Sequence, residues 1–122
     1  ARKAYPLFPG TQKITTGHLP LESGSIDMAF LILAAHEIRK EQERIIFFRE
    51  LHRALKPGGR IIVVEHLRDL PNFIAYTIGF LHFLSRGTWL KTFSGAGLRV
   101  DAQRKINPFI NLFILEKNDP AS

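Results

Sequence analysis

The sequence predicts an α/β fold: a mostly parallel sheet layered with helices and closed by an antiparallel edge. Three observations carry that expectation. Ile26 to Ala34 (IDMAFLILA) is a near-continuous apolar run, the composition of a strand buried on both faces of a parallel sheet. Lys40 to Leu55 then changes to helical spacing and stops at Lys56-Pro57-Gly58-Gly59. Arg60 to Glu65 (RIIVVE) is a second apolar run. Strand, helix and parallel strand make one right-handed crossover unit.

The elements follow in order. Tyr5 to Gly10 carries two prolines and a glycine and reads as a loop; Gln12 to Thr16 is a short, weak strand candidate. Ser23-Gly24-Ser25 is the turn that opens the first long strand. In the helix, Ile45, Phe48, Leu51, His52 and Leu55 form one stripe, with charged residues on the other side. Acidic residues open the helix and basic residues close it, matching its dipole. Glycine then admits a left-handed conformation, and proline cannot continue the ladder. Asp69 to Phe93 reads as one or two helices, and Gly95-Ala96-Gly97 as a break. Leu98 to Arg104 alternates like a half-exposed strand, Asn107-Pro108 is a turn, and Phe109 to Lys117 is the closing strand.

At 122 residues the chain is long enough for a single core, so residues 1–122 are expected to form one domain. A 45% hydrophobic content argues against disorder. No apolar run reaches the roughly 18 residues that span a bilayer, and the N-terminus has no signal-peptide pattern. The expected location is cytoplasmic. The chain starts at Ala1 and not at Met, as a processed chain or a piece of a longer one would. With no cysteine there is no disulfide, thiolate metal site or cysteine nucleophile. A net charge of +6 invites a nucleic-acid partner, but the basic residues are scattered and no recognition motif accompanies them.

Taken together, Leu19-Pro20, the acidic Gly-Ser turn, the strand opening at Asp27, the helix ending in Leu55-Lys56-Pro57-Gly58-Gly59 and the apolar strand after it resemble the second half of a class I S-adenosylmethionine-dependent methyltransferase. The resemblance resumes at Trp89 to Val100 (WLKTFSGAGLRV) and takes in about two-thirds of the chain. It implies a three-layer Rossmann-like methyltransferase sheet, truncated at its N-terminus to a partial domain. It also implies S-adenosylmethionine as cofactor, in-line transfer of the methyl group to a small apolar or aromatic acceptor, and no metal. By the same resemblance, Thr15, Thr16, Gly17 and His18 form the loop that holds the adenine. Thr15 stands where the family commonly has Asp, and a hydroxyl accepts more weakly than a carboxylate. Leu31, Leu33 and His36 belong to the wall beside the methionyl part of the cofactor. The family's glycine-rich loop has no counterpart before Leu19. In the family's sheet order the missing strands would neighbour Ile26 to Ala34, leaving that strand an open edge. A second copy of the chain or a complementary N-terminal half would then complete the sheet.

Candidate catalytic residues follow the two strand ends, where doubly wound sheets place their ligands. His36, Glu37 and His66 are the candidates: an imidazole there can take a proton from a hydroxyl acceptor. A helix-entry histidine satisfied by backbone is the plainer reading of His36, and a surface ion-pair cluster that of Glu65-His66. Asp27 opens its strand at the amino end and reads as structural. Phe73 to Leu84 is compatible with a lid, a membrane-surface helix or core beneath the sheet. Two functions compete: part of a methyltransferase, or a methyltransferase-like interaction module that has lost cofactor binding. A nicotinamide-dependent oxidoreductase on a similar sheet would need the same absent glycine loop.

Overall fold

The computed structural model of the protein describes residues 15–67 and 83–118. Residues 12–14 of the short strand candidate lie outside these residues, as do 69–82 of the aromatic segment and nearly all of the lid candidate. The described elements are β1 (Ile26–Ile32), a 3₁₀ turn (Ala35–Glu37), α1 (Glu41–Ala54), β2 (Leu55–Glu65), α2 (Arg86–Gly95), β3 (Leu98–Asn107) and β4 (Ile110–Lys117). The four strands form one sheet in the order β1-β2-β4-β3. β1 and β2 are parallel, and β4 is antiparallel to both of its neighbours. This is the expected crossover unit with an antiparallel edge. No helix among the described residues is long and apolar enough to cross a membrane.

Local chemistry explains each boundary. Ser85 caps α2 by accepting the Thr88 N–H at 3.1 Å, which satisfies one of the orphan donors of the first turn. At the other end of α2 the Arg49 guanidinium donates twice to the Gly95 carbonyl, at 3.2 and 3.0 Å, and so joins α2 to α1. Gly97 has φ 76°, the left-handed position expected at the Gly95-Ala96-Gly97 break. The β3–β4 turn is held by Asn107, whose Oδ1 accepts from the backbone of Phe109 and Ile110 at 2.8 and 3.0 Å.

Two features differ from expectation. Lys56-Pro57-Gly58-Gly59 stops the helix, yet β2 already begins at Leu55. Leu55 pairs with Ile26 and Arg60 with Met28, so the Pro-Gly-Gly segment bulges between two paired points, with Gly58 at φ 78°. The second difference is larger. Among the described residues, β1 is covered on one face only. Ala29 and Leu31 pack on the core, whereas Met28, Phe30 and Ile32 are 48, 62 and 63% exposed. An apolar run without alternation fits burial on two faces, but α1 and α2 lie on the same side of this sheet.

That shared side holds the core. Phe47, Phe48 and Leu51 of α1 meet Trp89 and Phe93 of α2 over Ile61, Val63, Phe113 and Leu115 of the sheet. Rings pack edge-on from Phe48 to Phe93 (5.3 Å) and from Phe93 to Phe113 (5.4 Å). The buried stripe of α1 runs through Arg44, Phe47, Phe48, Leu51 and Ala54, slightly rotated from the expected one. Ile45 and His52 instead face α2, against Gly95 and Gly97. The helix has two neighbours, so its apolar face is wider than one stripe.

Candidate functional site

The carboxyl ends of β1 and β2 form the site. β1 ends at Ile32, and Leu33 takes φ 52°, a left-handed conformation that a branched side chain rarely adopts. Its N–H still pairs with the Val64 carbonyl at 2.8 Å, so the chain leaves the sheet only after that bond. The 3₁₀ turn then places His36 over the end of β2. There Glu65 is fully buried, pointing to the helix side with Ile61 and Val63.

Glu65 and His36 make a close pair. His36 Nδ1 lies 2.8 Å from Glu65 Oε2, and the His36 backbone N–H donates to Glu65 Oε1 at 3.2 Å. A carboxylate partner assigns the proton to Nδ1 and leaves the Nε2 lone pair as the basic atom. Nε2 lies 3.4 Å from the exposed Glu37 carboxylate. Burial pushes the Glu65 carboxyl above the ordinary carboxylate range, and the attraction and hydrogen bonds of His36 oppose that rise. A half-buried imidazole on a buried carboxylate, beside a strained strand end, is an arrangement suited to proton transfer.

Two of the three expected catalytic residues are therefore together, His36 and Glu37. The contacts described for His66 run elsewhere: its Nδ1 is 2.9 Å from the Phe109 carbonyl and its ring stacks on Phe83 at 4.9 Å. Glu65, the residue before His66, is the one that contacts His36, a pairing the sequence reading did not make. A lone carboxylate closing RIIVVE carries the signal, because a charge at the end of a buried strand needs a partner.

The expected adenine loop lies along α1. Thr15 and His18 close a tight turn, Thr16 Oγ1 donates to Glu43 Oε1 at 3.0 Å, and Gly17 lies against Ile46. Further along, Glu50 Oε1 accepts the Leu19 N–H at 2.9 Å, and Arg53 reaches the Leu19 carbonyl and Ser23 Oγ. Residues 15–25 thus run alongside α1 in the same direction, from Thr16 beside its first turn at the carboxyl end of the sheet to Ser25 beside its last. Leu31 packs on the core, whereas Leu33 and His36 stand at the strand end.

Glu50 anchors this strap, and its chemistry gives a pH prediction. The Arg53 hydrogen bonds (2.7 and 3.0 Å), with the Leu19 N–H, hold its carboxyl down to about 2. A group whose folded value is depressed stabilises fully above its unfolded value and loses that contribution as pH falls through the folded one. Thermal melts should therefore show stability falling between about pH 5 and pH 2. Glu50→Gln should be less stable at neutral pH and should flatten that acid limb.

The Thr15 hydroxyl donates to the His18 carbonyl and that of Thr16 to Glu43, while Leu33 to His36 lie at the end of β1. Among solved structures, an S-adenosylmethionine-dependent methyltransferase from Aquifex aeolicus superposes with TM-score 0.70 at 18% identity, over 85% of this chain and 52% of that one. One from Methanosarcina mazei gives 0.66 at 16% identity, over 84% and 63%. The mitomycin 7-O-methyltransferase MmcR gives 0.67 at 16% identity, over 78% and 30%. These similarities show the fold, and the chain spans only part of each relative. A search of curated proteins by sequence gives no match. The family model described as "Methyltransferase domain" matches residues 3–63, half of the chain. With the sheet order and the helices of the crossover unit in place, the chain belongs to the class I S-adenosylmethionine-dependent methyltransferase family and represents part of its domain.

Proposed function

We propose that the chain supplies the acceptor side of a cytoplasmic methyltransferase acting on a hydroxyl group of a small apolar or aromatic molecule. One observation carries this reading: His36 is locked to the buried Glu65 at 2.8 Å, at the strand ends where such sheets bind ligands. The cofactor, when bound, supplies a methyl group on a sulfonium that needs no further activation. The protein's contribution is then positioning and proton transfer. Glu65 fixes the His36 tautomer, His36 Nε2 takes the acceptor's proton as the oxygen becomes nucleophilic, and Glu37 pairs with the imidazolium that results. Thr15, Thr16, Gly17 and His18 hold the adenine, while Leu31 and Leu33 keep water from the wall beside it. The structurally similar MmcR is a mitomycin 7-O-methyltransferase, which supports a hydroxyl acceptor.

The same reading expects the free edge of β1 to pair with a second copy or with a complementary half carrying the glycine loop. Calorimetric titration with S-adenosylhomocysteine, on the chain alone and with any co-purifying partner, tests it. Heat of binding in either sample is expected; silence in both would sink the enzyme reading. The exposed Met28, Phe30 and Ile32 favour a second reading in that event, an interaction module that uses this face to bind a partner.

A further inference from the structure

We propose that Asn111 is a positioning residue for the His36–Glu65 pair, its carboxamide oriented by an Arg86–Gln103 relay so that its N–H faces Glu65. This rests on the reading that His36 and Glu65 are the working end of the site.

Sheet order carries the argument. β4 lies between β3 and β2, so Asn111 has Gln103 on one side and Glu65 on the other. Arg86 Nε donates to Gln103 Oε1 at 2.6 Å. Arginine can only donate, so the oxygen of Gln103 faces Arg86, and its NH₂ is free to donate to Asn111 Oδ1 at 3.2 Å. The amide assignment of both side chains is thereby fixed. With its oxygen turned to β3, the Asn111 carboxamide presents its nitrogen to the β2 side, where Glu65 is its direct partner across the ladder. Asn111 is only 2% exposed and shares the helix-side face with Phe113 and Leu115.

Asn111 Nδ2 is buried and, among the described residues, finds no acceptor for its N–H groups. Orphaned buried N–H groups are rare and ask for a reason. A carboxylate directly across the ladder supplies one, since an N–H dipole aimed at an anion is favourable at low dielectric even without contact. Among the described residues, the charged groups near the pair have the following partners. On the 3₁₀ turn, Glu37 pairs with His36 Nε2, and Arg39 donates to the His36 carbonyl. On α1, Arg44 is bound to the carbonyls of Ile38 and Arg39. His66, past the end of β2, is bound to the Phe109 carbonyl. On α2, Arg86 forms the exposed end of the relay.

Carbon-13 titration of the Glu65 carboxyl tests the proposal without requiring turnover. Asn111→Leu removes the N–H, and Gln103→Met, at a less buried position, removes only the donor that orients it. Each is expected to move the Glu65 midpoint to higher pH, by about half a unit or more for Asn111→Leu and less for Gln103→Met. An unchanged or lowered midpoint in Gln103→Met, with an intact amide spectrum, overturns the relay, whether or not Asn111→Leu folds. Binding of S-adenosylhomocysteine, measured on the same samples, tests the methyltransferase reading separately. Raised midpoints without binding would leave the relay standing and remove the reading it serves.

Discussion

Replacing His36 with Gln is expected to slow methyl transfer by about 10²–10⁴-fold, the usual range for loss of a general base. The assay is transfer from S-adenosylmethionine to a phenolic acceptor, with the glycine-loop half present in the same chain or added. Gln retains an amide of similar reach, so the loss should appear in kcat while cofactor affinity stays within a few-fold. Glu65→Gln should lose less, because it leaves the imidazole in place and removes the group that fixes its tautomer. Full activity in His36→Gln would reduce the histidine to a helix-entry residue satisfied by Glu65.

The second large effect is on stability. Phe48 is fully buried and touches the rings of Phe47, Trp89 and Phe93. Phe48→Ala should cost about 3–5 kcal/mol, since the lost transfer energy is joined by a cavity that rigid aromatic neighbours cannot fill. That is a large part of the roughly 5–15 kcal/mol that holds a typical domain. Denaturant titration is expected to show unfolding at much lower urea, with little change in slope. Phe48→Leu should recover more than half of the loss. An exposed apolar residue of the same helix is the control: Ile46 is 46% exposed, and Ile46→Ala should change stability by less than about 0.5 kcal/mol.

The crossover unit was legible in the sequence because its signals are local and redundant. An apolar run, a helical period and a Pro-Gly-Gly stop each fix one element, and their spacing fixes the connection. The faces of the sheet were harder to read. IDMAFLILA says that a strand can be buried on both sides; which sides are covered depends on where α1 and α2 pack. The site divides in the same way. That His36 follows a strand end was legible. Its pairing with Glu65 was not, because the two lie 29 positions apart in sequence and only the crossover brings them to 2.8 Å. The orientation of Asn111 was beyond sequence reading altogether, for it depends on three side chains on α2, β3 and β4.

The open edge of β1, the terminal strand of the described sheet, would set the kinetic order of its proposed pairing with complementary strands. If the complementary strands are joined to β1 in one polypeptide, pairing is first-order and independent of concentration. If they arrive on another molecule, pairing is second-order and competes with β1 finding another β1, which is also second-order. The ratio of correct to incorrect pairing then follows the proportions of the two species, whereas the total lost to self-association rises with concentration. Slow synthesis beside an excess of the complementary half would favour the working molecule, and dilution alone would not correct the ratio.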